Sequence, residues 1–262
     1  MDFPLSSPLV SRLDYVPSTG STNTDLIADS ANRSDLAVLV AGFQSAGRGR
    51  SGREWLAPEG SSIFASILLR PATALKPDAF GWLPLLAGLS MARAISQFIP
   101  AETVSVKWPN DVLVAGHKIS GVLSELLPDF SGVVIGAGVN LLQTQAELPI
   151  EAATSLGIER AKYGQSAPAI DAVLAAYLAE LRTLYSAFVE AGGDADLSGL
   201  RAAVTDRCGS IGRRVRAIMP GDQELIGTAV GIDEFGRILI QPDGERELFA
   251  VSAGDIVHLR HN

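Results

Sequence analysis

Cysteine and histidine, the residue types that most often build structural metal sites, are scarce in this chain of 262 residues. The single cysteine, Cys208, excludes an intrachain disulfide and any zinc or iron–sulfur site that needs several thiolates. Two of the three histidines, His258 and His261, stand almost at the C-terminus. A metal site built from histidine is therefore not expected.

Charge is also sparse, because charged residues make up only 19% of the chain and the formal net charge is −8. A chain with this acidic balance is not expected to bind nucleic acid in general. The N-terminus has no secretion signal, and the most hydrophobic window, 82–98, is interrupted by Pro84, Arg93 and Gln97. We expect a soluble, cytoplasmic protein with no membrane partner. Its hydrophobic content of 47% is enough for a buried core.

Hydrophobic runs and turn residues divide the chain into two regions. Up to Cys208, strand-like runs alternate with a helix at 82–98 that is apolar nearly all round and an amphipathic helix at 170–189 that ends before Gly192. Beyond it, short runs between tight turns predict a small β-barrel. We predict an α+β fold with a catalytic domain at 1–208 and a β-barrel at 209–262. The predicted strands are 37–43, 62–70, 104–108, 112–114, 119–126, 133–139, 215–219, 225–231, 237–241, 247–251 and 256–260, with a hairpin turning at 115–117.

The segment 44–55 places three arginines among glycines, directly after a predicted strand. The glycines allow a ligand to approach the backbone closely, and arginine suits phosphate and carboxylate groups. A solvated basic loop is the alternative interpretation. The segment also matches a dinucleotide-binding G-x-G-x-x-G, but Pro58 and Gly60 prevent the helix that this motif requires.

Three further segments carry polar groups next to predicted strands. Ser21 to Asp25 predicts the start of a helix capped by short side chains. The segment 107–111, followed by Lys118, offers cations, an amide and a carboxylate that can neutralise phosphates and hold Mg²⁺, although a plain turn is the alternative. Gly136 to Asn140 predicts either close strand packing or a backbone wall against a ligand.

Taken in chain order, these segments resemble the motifs of the biotin–protein ligases. The matching segments are Ser21-Thr22-Asn23, Gln44 with Gly47 to Arg53 and Trp55, Lys107-Trp108-Pro109-Asn110-Asp111, Lys118 to Leu123, Gly136 to Asn140, and Gly254 to Arg260. The resemblance covers the chain from about residue 12. It implies a mixed β-sheet with flanking helices, like that of class II synthetases, and an SH3-like C-terminal β-barrel.

The resemblance also implies a reaction in two steps. The biotin carboxylate attacks the α-phosphate of MgATP to give biotinyl-5′-AMP and pyrophosphate, and a lysine of a biotin carboxyl carrier domain then takes the biotinyl group. The catalytic residues implied are Lys118, Arg50 and Arg48. The biotin site implied comprises Ser21, Thr22, Asn23, Gln44, Arg48, Gly49, Arg50, Trp55 and Lys118. The ATP site implied comprises Arg50, Arg53, Lys107, Trp108, Asn110, Asp111, Lys118 and Asn140, with Asp111 as a ligand of Mg²⁺.

The chain differs from the family pattern at two places, and two other functions are possible for a chain of this fold. The family loop often carries another arginine where this chain has Ser51, and the residues before Ser21 are too few for a DNA-binding winged helix, so no DNA partner is expected. A lipoate or octanoyl transferase of the same fold and an inactive biotin-binding module are the alternatives. Neither a monomer nor a homodimer is favoured by the sequence. A chain ending near Arg207 is expected to keep its fold.

Overall fold

The computed structural model describes residues 1–72, 75–221 and 223–259. The strands are β1 (Arg12–Val16), β2 (Ala37–Ala41), β3 (Ser62–Leu69), β4 (Val104–Lys107), β5 (Asp111–Val114), β6 (His117–Leu126), β7 (Val133–Asn140), β8 (Arg214–Met219), β9 (Gln223–Ile232), β10 (Ile238–Pro242), β11 (Phe249–Val251) and β12 (Asp255–His258). The α-helices are α1 (Thr22–Ala28), α2 (Leu83–Ile95), α3 (Leu156–Ala161), α4 (Ile170–Glu190) and α5 (Leu200–Arg207).

The first seven strands form one mixed sheet in the order β1-β2-β3-β7-β6-β5-β4. Only β1 and β2 run parallel, and the chain crosses between them through α1. The remaining neighbours are antiparallel. The predicted hairpin is present, since β5 and β6 pair around Ala115 and Gly116, which both have positive φ.

Side-chain alternation gives this sheet two different faces. In β3, Ile63 and Ile67 belong to the large core that includes α2 and α4, whereas Ser66 and Leu68 point to the side of α1. In β7 the same alternation puts Gly136, and every second residue after it, on the α1 side. One face is therefore closed by two helices, while the other is only partly covered by one short helix.

The two long helices pack on each other and on the large sheet. Nearly all of α2 is buried, as its apolar composition predicts. By length and composition alone, α4 is apolar enough to cross a membrane. Its residues Leu174, Leu178 and Leu181 are buried in the core, however. This helix therefore has the burial pattern of a core helix that packs on one side.

The last five strands form an antiparallel sheet in the order β11-β10-β9-β8-β12. Its buried residues belong to the same hydrophobic cluster as α2 and the large sheet. The indole N–H groups of Trp82 and Trp108 each donate to a carbonyl of the β9–β10 turn, at 2.9 Å to Glu234 and to Gly236 respectively. The α+β class is confirmed. The expectation that a chain ending near Arg207 keeps its fold does not agree with this shared core. We propose that residues 208 and 209 separate the strands of the two sheets along the chain and do not separate two independent cores.

Some elements were not predicted, for recognisable reasons. The strand β1 is a short, half-exposed edge strand, and half of the residues of α5 are polar. The predicted strand at 256–260 is observed as β12, and its last residue, Arg260, lies outside the described residues, as does the turn residue Asp222.

Candidate active site

The partly covered face of the large sheet holds a cavity of about 410 Å³. It lies between α1, the segment 44–56 and strands β3, β6 and β7. The expected site residues that line it are Ser21, Thr22, Asn23, Gln44, Arg48, Gly49, Arg50, Arg53, Trp55, Asn110, Asp111, Lys118 and Asn140. Lys107 and Trp108 are not among the described residues that line it.

Buried polar side chains form the end of the cavity at α1. The expectation that short side chains cap this helix is wrong, because Ser21 at the N-cap makes no capping hydrogen bond. Gln44 Oε1 replaces it and accepts hydrogen bonds from Thr22 N at 2.7 Å and Thr22 Oγ1 at 3.0 Å. Ser66 Oγ donates to Asn23 Oδ1 at 2.5 Å and lies 2.7 Å from Thr22 Oγ1. This end is therefore a fixed array of neutral hydrogen-bonding groups.

Glycines of β6 and β7 form the floor of the cavity, and the indole of Trp55 lies on them. A Cβ atom built on Gly138 would lie 2.6 Å from Trp55 Cε2, and one on Gly121 would lie 2.9 Å from Trp55 Cζ3. Both alternatives for Gly136 to Asn140 thus meet in one feature, a backbone wall on which an aromatic side chain packs closely. The Trp55 Nε1 donor is buried without a hydrogen-bond partner among the described residues.

The three arginines are held at three separate places, so the segment is not a freely solvated loop. Arg48 pairs with Glu125 of β6 at 3.0 Å. Arg50 donates to Asn110 Oδ1 at 3.2 Å and to the carbonyl of Gly254 at 2.9 Å, and burial lowers the pKa of its guanidinium. Arg53 pairs with Asp255 of β12 at 2.7 Å and its side chain is 59% exposed. Two arginines thus connect the segment to the C-terminal sheet.

The cationic side of the cavity centres on Lys118, at the start of β6. Its Nζ lies 2.6 Å from Asp111 Oδ1 and 5.4 Å from the centre of the Trp55 ring. The hairpin β5–β6 brings both residues together. Behind them lies Lys107, whose pKa is lowered by burial against the opposing effect of Asp111. A ligand anion at Lys118 would therefore compete with an internal carboxylate.

Trp108 has a different place from the one expected. Its ring is 3% exposed, and its contacts join the large sheet to the C-terminal sheet. Asn110, two residues later, does reach the cavity, because its Nδ2 donates to the carbonyl of Val122 at 2.7 Å. Trp108 therefore does not line this cavity, because its ring is used in the core, and its expected ATP contact stays a prediction.

Asn140 occupies the far end of β7 and is 4% exposed. Its Nδ2 donates to the carbonyl of Thr154 at 3.0 Å, and its Oδ1 accepts from Gln143 Nε2 at 3.2 Å. Gln143 is itself buried and also donates to Ser62 Oγ at 2.6 Å. The orientation of the Asn140 amide is therefore set by its neighbours.

The carboxylates at the site fit a metal that arrives with a phosphate ligand. Among the described residues no group of three or more His, Cys, Asp or Glu side chains is placed to hold an ion. Asp111 lines the cavity beside Lys118. Mg²⁺ is commonly bound by one or two carboxylates together with substrate phosphates. Asp111 suits this mode of binding.

Sequence reasoning missed several residues of the site. Phe64, Leu56 and Ile150 add apolar lining, and Glu125 and Ser66 hold lining residues in place from behind. The alternation of β3 was a usable signal, since it places Phe64 and Ser66 on one face.

Two sequence profiles match the chain. The profile of the Biotin/lipoate A/B protein ligase family matches residues 15–140, and that of the Biotin protein ligase C terminal domain matches residues 210–259. The fold and the cavity therefore define a protein of the class that ligates biotin or lipoate to proteins.

Individual relatives narrow this class. The biotin–[acetyl-CoA-carboxylase] ligase of Mycobacterium tuberculosis is 39% identical over 254 residues, covering 95% of this chain and 90% of the relative. That of Paracoccus denitrificans is 30% identical, with 88% and 94% covered. The structure of the Aquifex aeolicus biotin protein ligase in complex with biotin and ATP matches with a TM-score of 0.76 at 28% identity, covering 96% of this chain and 100% of that one. The chain belongs to the biotin protein ligase family, which confirms the expected resemblance.

Proposed function

We propose that this enzyme activates biotin with ATP and transfers the biotinyl group to a lysine of the biotin carboxyl carrier domain of acetyl-CoA carboxylase or a related carboxylase. The proposal rests on the order in which neutral, apolar and cationic groups follow one another along the cavity. Neutral hydrogen-bonding groups lie at α1, the Trp55 ring and glycines lie in the middle, and Arg50 and Lys118 lie at the other side. Biotin has the same order of groups, a neutral ureido ring, an apolar body and a carboxylate.

In the first step, the biotin carboxylate oxygen forms a bond to the α-phosphorus of ATP, and the bond to the pyrophosphate oxygen breaks. Two anions must approach each other, so the barrier falls where fixed positive charge lies near both. We assign Lys118 to the carboxylate and α-phosphate, and Arg48 and Arg50 to the adenylate product. Asp111 would hold a Mg²⁺ ion that arrives with ATP, and the ion would supply further charge neutralisation.

In the second step, the ε-amine of the acceptor lysine attacks the carbonyl carbon of the mixed anhydride, and AMP leaves as an amide forms. We assign Ser21, Thr22, Asn23 and Gln44 to the ureido ring, which needs hydrogen bonds rather than charge. Trp55 and Gly49 would enclose the ring system. The remaining ATP contacts proposed are those of Arg53, Lys107, Asn110 and Asn140.

We propose that the reaction takes place in the cytoplasm without a membrane partner, and the formal charge of −8 disfavours a nucleic-acid partner. Carrier domains that accept biotin define the partner, and the proposal does not depend on whether the ligase is a monomer or a homodimer.

The proposal is tested by incubating the protein with ATP, Mg²⁺, an acetyl-CoA carboxylase carrier domain and one of biotin, lipoate or octanoate. Intact-mass and peptide mass spectrometry should find a biotinyl group on one carrier lysine, and no adduct without ATP. An adduct only with lipoate or octanoate would favour the rival transferase. Biotin binding by calorimetry without any adduct would favour an inactive binding module.

A further inference from the structure

Glu125, near the end of β6, contacts two residues of the cavity from outside it. Its two carboxylate oxygens accept hydrogen bonds from Arg48 Nη2 at 3.0 and 3.1 Å. Its Oε2 also accepts from Asn23 Nδ2 at 2.8 Å. Glu125 does not itself belong to the described residues that line the cavity. One carboxylate therefore connects the arginine segment to α1.

Both partners of Glu125 are held on a second side as well. Asn23 is 4% exposed, and its Oδ1 accepts from Ser66 Oγ of β3. Arg48 Nη2 also donates to Thr24 Oγ1 of α1 at 3.1 Å. When the carboxylate is lost, Asn23 keeps its hydrogen bonds with Ser66 and with the carbonyl of Leu123 at 3.3 Å. Arg48 is 48% exposed and keeps its contact with Thr24, so it is the side chain that gains rotational freedom.

Charge explains why a carboxylate suits this position. Arg48 and Asn23 both present donors, and an ionised carboxylate is acceptor-only, so it satisfies both without rotating. A glutamine of the same shape has one acceptor oxygen and one NH₂ group. Because Oε2 accepts from both Arg48 and Asn23, a glutamine oxygen at that position can keep these two contacts, but the NH₂ group then faces Arg48 Nη2 and the negative charge is lost. The substitution Glu125→Gln therefore weakens the junction at Arg48 while almost preserving its volume.

We propose that Glu125 is a positioning residue that fixes Arg48 and Asn23 before biotin binds and keeps the arginine segment over the bound adenylate. The inference rests on the proposed function of the cavity. It assigns Glu125 no contact with biotin or ATP. Its effect is expected in the affinity for biotin and in the retention of biotinyl-adenylate, whereas the rate of adenylation at saturating biotin changes little.

The test compares the wild-type enzyme with Glu125→Gln in three measurements: calorimetric biotin affinity, the adenylation rate at saturating substrates, and biotinyl-adenylate released into solution. We expect biotin affinity to fall about tenfold, the size of one charge-assisted hydrogen-bonded junction. Released adenylate should rise, and the saturated rate should stay within about twofold of wild type, far less than the loss of a group that acts on the transition state. Glu102→Gln, in the exposed turn before β4, is the matched control and should match wild type throughout.

A double-mutant cycle with Arg48→Ala shows whether Glu125 acts through Arg48. The effect of Glu125→Gln on biotin affinity should be at least about threefold smaller in the Arg48→Ala background, because contacting residues are not additive. Three results would each overturn the proposal. The effect of Glu125→Gln on biotin affinity could be equal in both backgrounds, or Glu125→Gln could bind biotin and retain biotinyl-adenylate like the wild type. The third result is a set of losses that only follows a lower melting temperature. A wild-type enzyme that forms no biotinyl-adenylate would instead contradict the proposed function.

Discussion

Replacing Gly138 with alanine tests whether the floor of the cavity must lack side chains. The new Cβ would lie 2.6, 2.8 and 3.0 Å from three atoms of the Trp55 indole. Carbon atoms in ordinary contact are about 3.5–4.0 Å apart, so the ring or the strand must move by about 1 Å. Overpacking of this kind costs about 1–3 kcal/mol. If that cost falls on the ligand-bound site, biotin binding weakens about 5- to 150-fold.

Calorimetric titration with biotin measures this loss, and near-ultraviolet circular dichroism reports whether the indole has moved. The control is Gly231→Ala in β9, because its Cβ would lie 3.9 Å from Leu239 Cδ1 of β10, which is an ordinary contact distance. It should bind biotin like the wild type. Wild-type affinity in Gly138→Ala, together with an unchanged tryptophan spectrum, would refute the close packing of Trp55 on this floor.

Four further predictions concern the charged groups and the C-terminal sheet. Lys118→Ala should slow adenylation by about 10²-fold or more in a quenched single-turnover assay, and a rate within about threefold of wild type would remove Lys118 from the reaction. Arg50→Gly should release biotinyl-adenylate and biotinylate bystander lysines, whereas unchanged release would contradict its role over the adenylate. Burial lowers the pKa of His258 from 6.5 to about 4, so the folded state favours the neutral imidazole. The contribution of His258 to the free energy of unfolding should therefore be complete above pH 6.5 and should decrease as the pH falls towards 4. Denaturant unfolding at several pH values should show this decrease more weakly in His258→Gln, and an equal pH dependence would contradict it. A chain ending at Arg207 would expose Trp82 and leave the indole N–H of Trp108 unpaired, so its melting temperature should fall. An unchanged melting temperature would show that the C-terminal sheet is dispensable for folding.

The regular elements with clear periodicity were predictable from the sequence. Buried strands such as β3 and β7 are largely apolar runs bounded by turns, and α2 is a largely apolar helix. The strand β1 was not predicted, although Leu13 and Tyr15 alternate with Arg12 and Asp14, because it is short and its order in the sheet depends on pairing with β2. Local pattern gives no information about such long-range pairing.

The chemical character of the site was predictable, but its internal contacts were not. Glycine-spaced arginines indicated an anion site, and the structure places Arg48 and Arg50 on the cavity. Their partners Glu125 and Gly254 are distant in the sequence, and no local pattern indicates that they pair with these arginines. Trp108 was assigned to the ATP site because it belongs to the segment 107–111, which resembles a motif of the family. Its burial between two sheets became visible only with the tertiary structure.

Biotin-dependent exchange of labelled pyrophosphate into ATP reports the first step of the proposed reaction without any acceptor protein. Label should enter ATP when biotin and Mg²⁺ are both present, and the exchange rate should fall by about 10²-fold or more in Lys118→Ala. The proposed function would be contradicted if exchange needed no biotin, or if lipoate or octanoate supported it in place of biotin. It would also be contradicted if the folded protein showed no exchange.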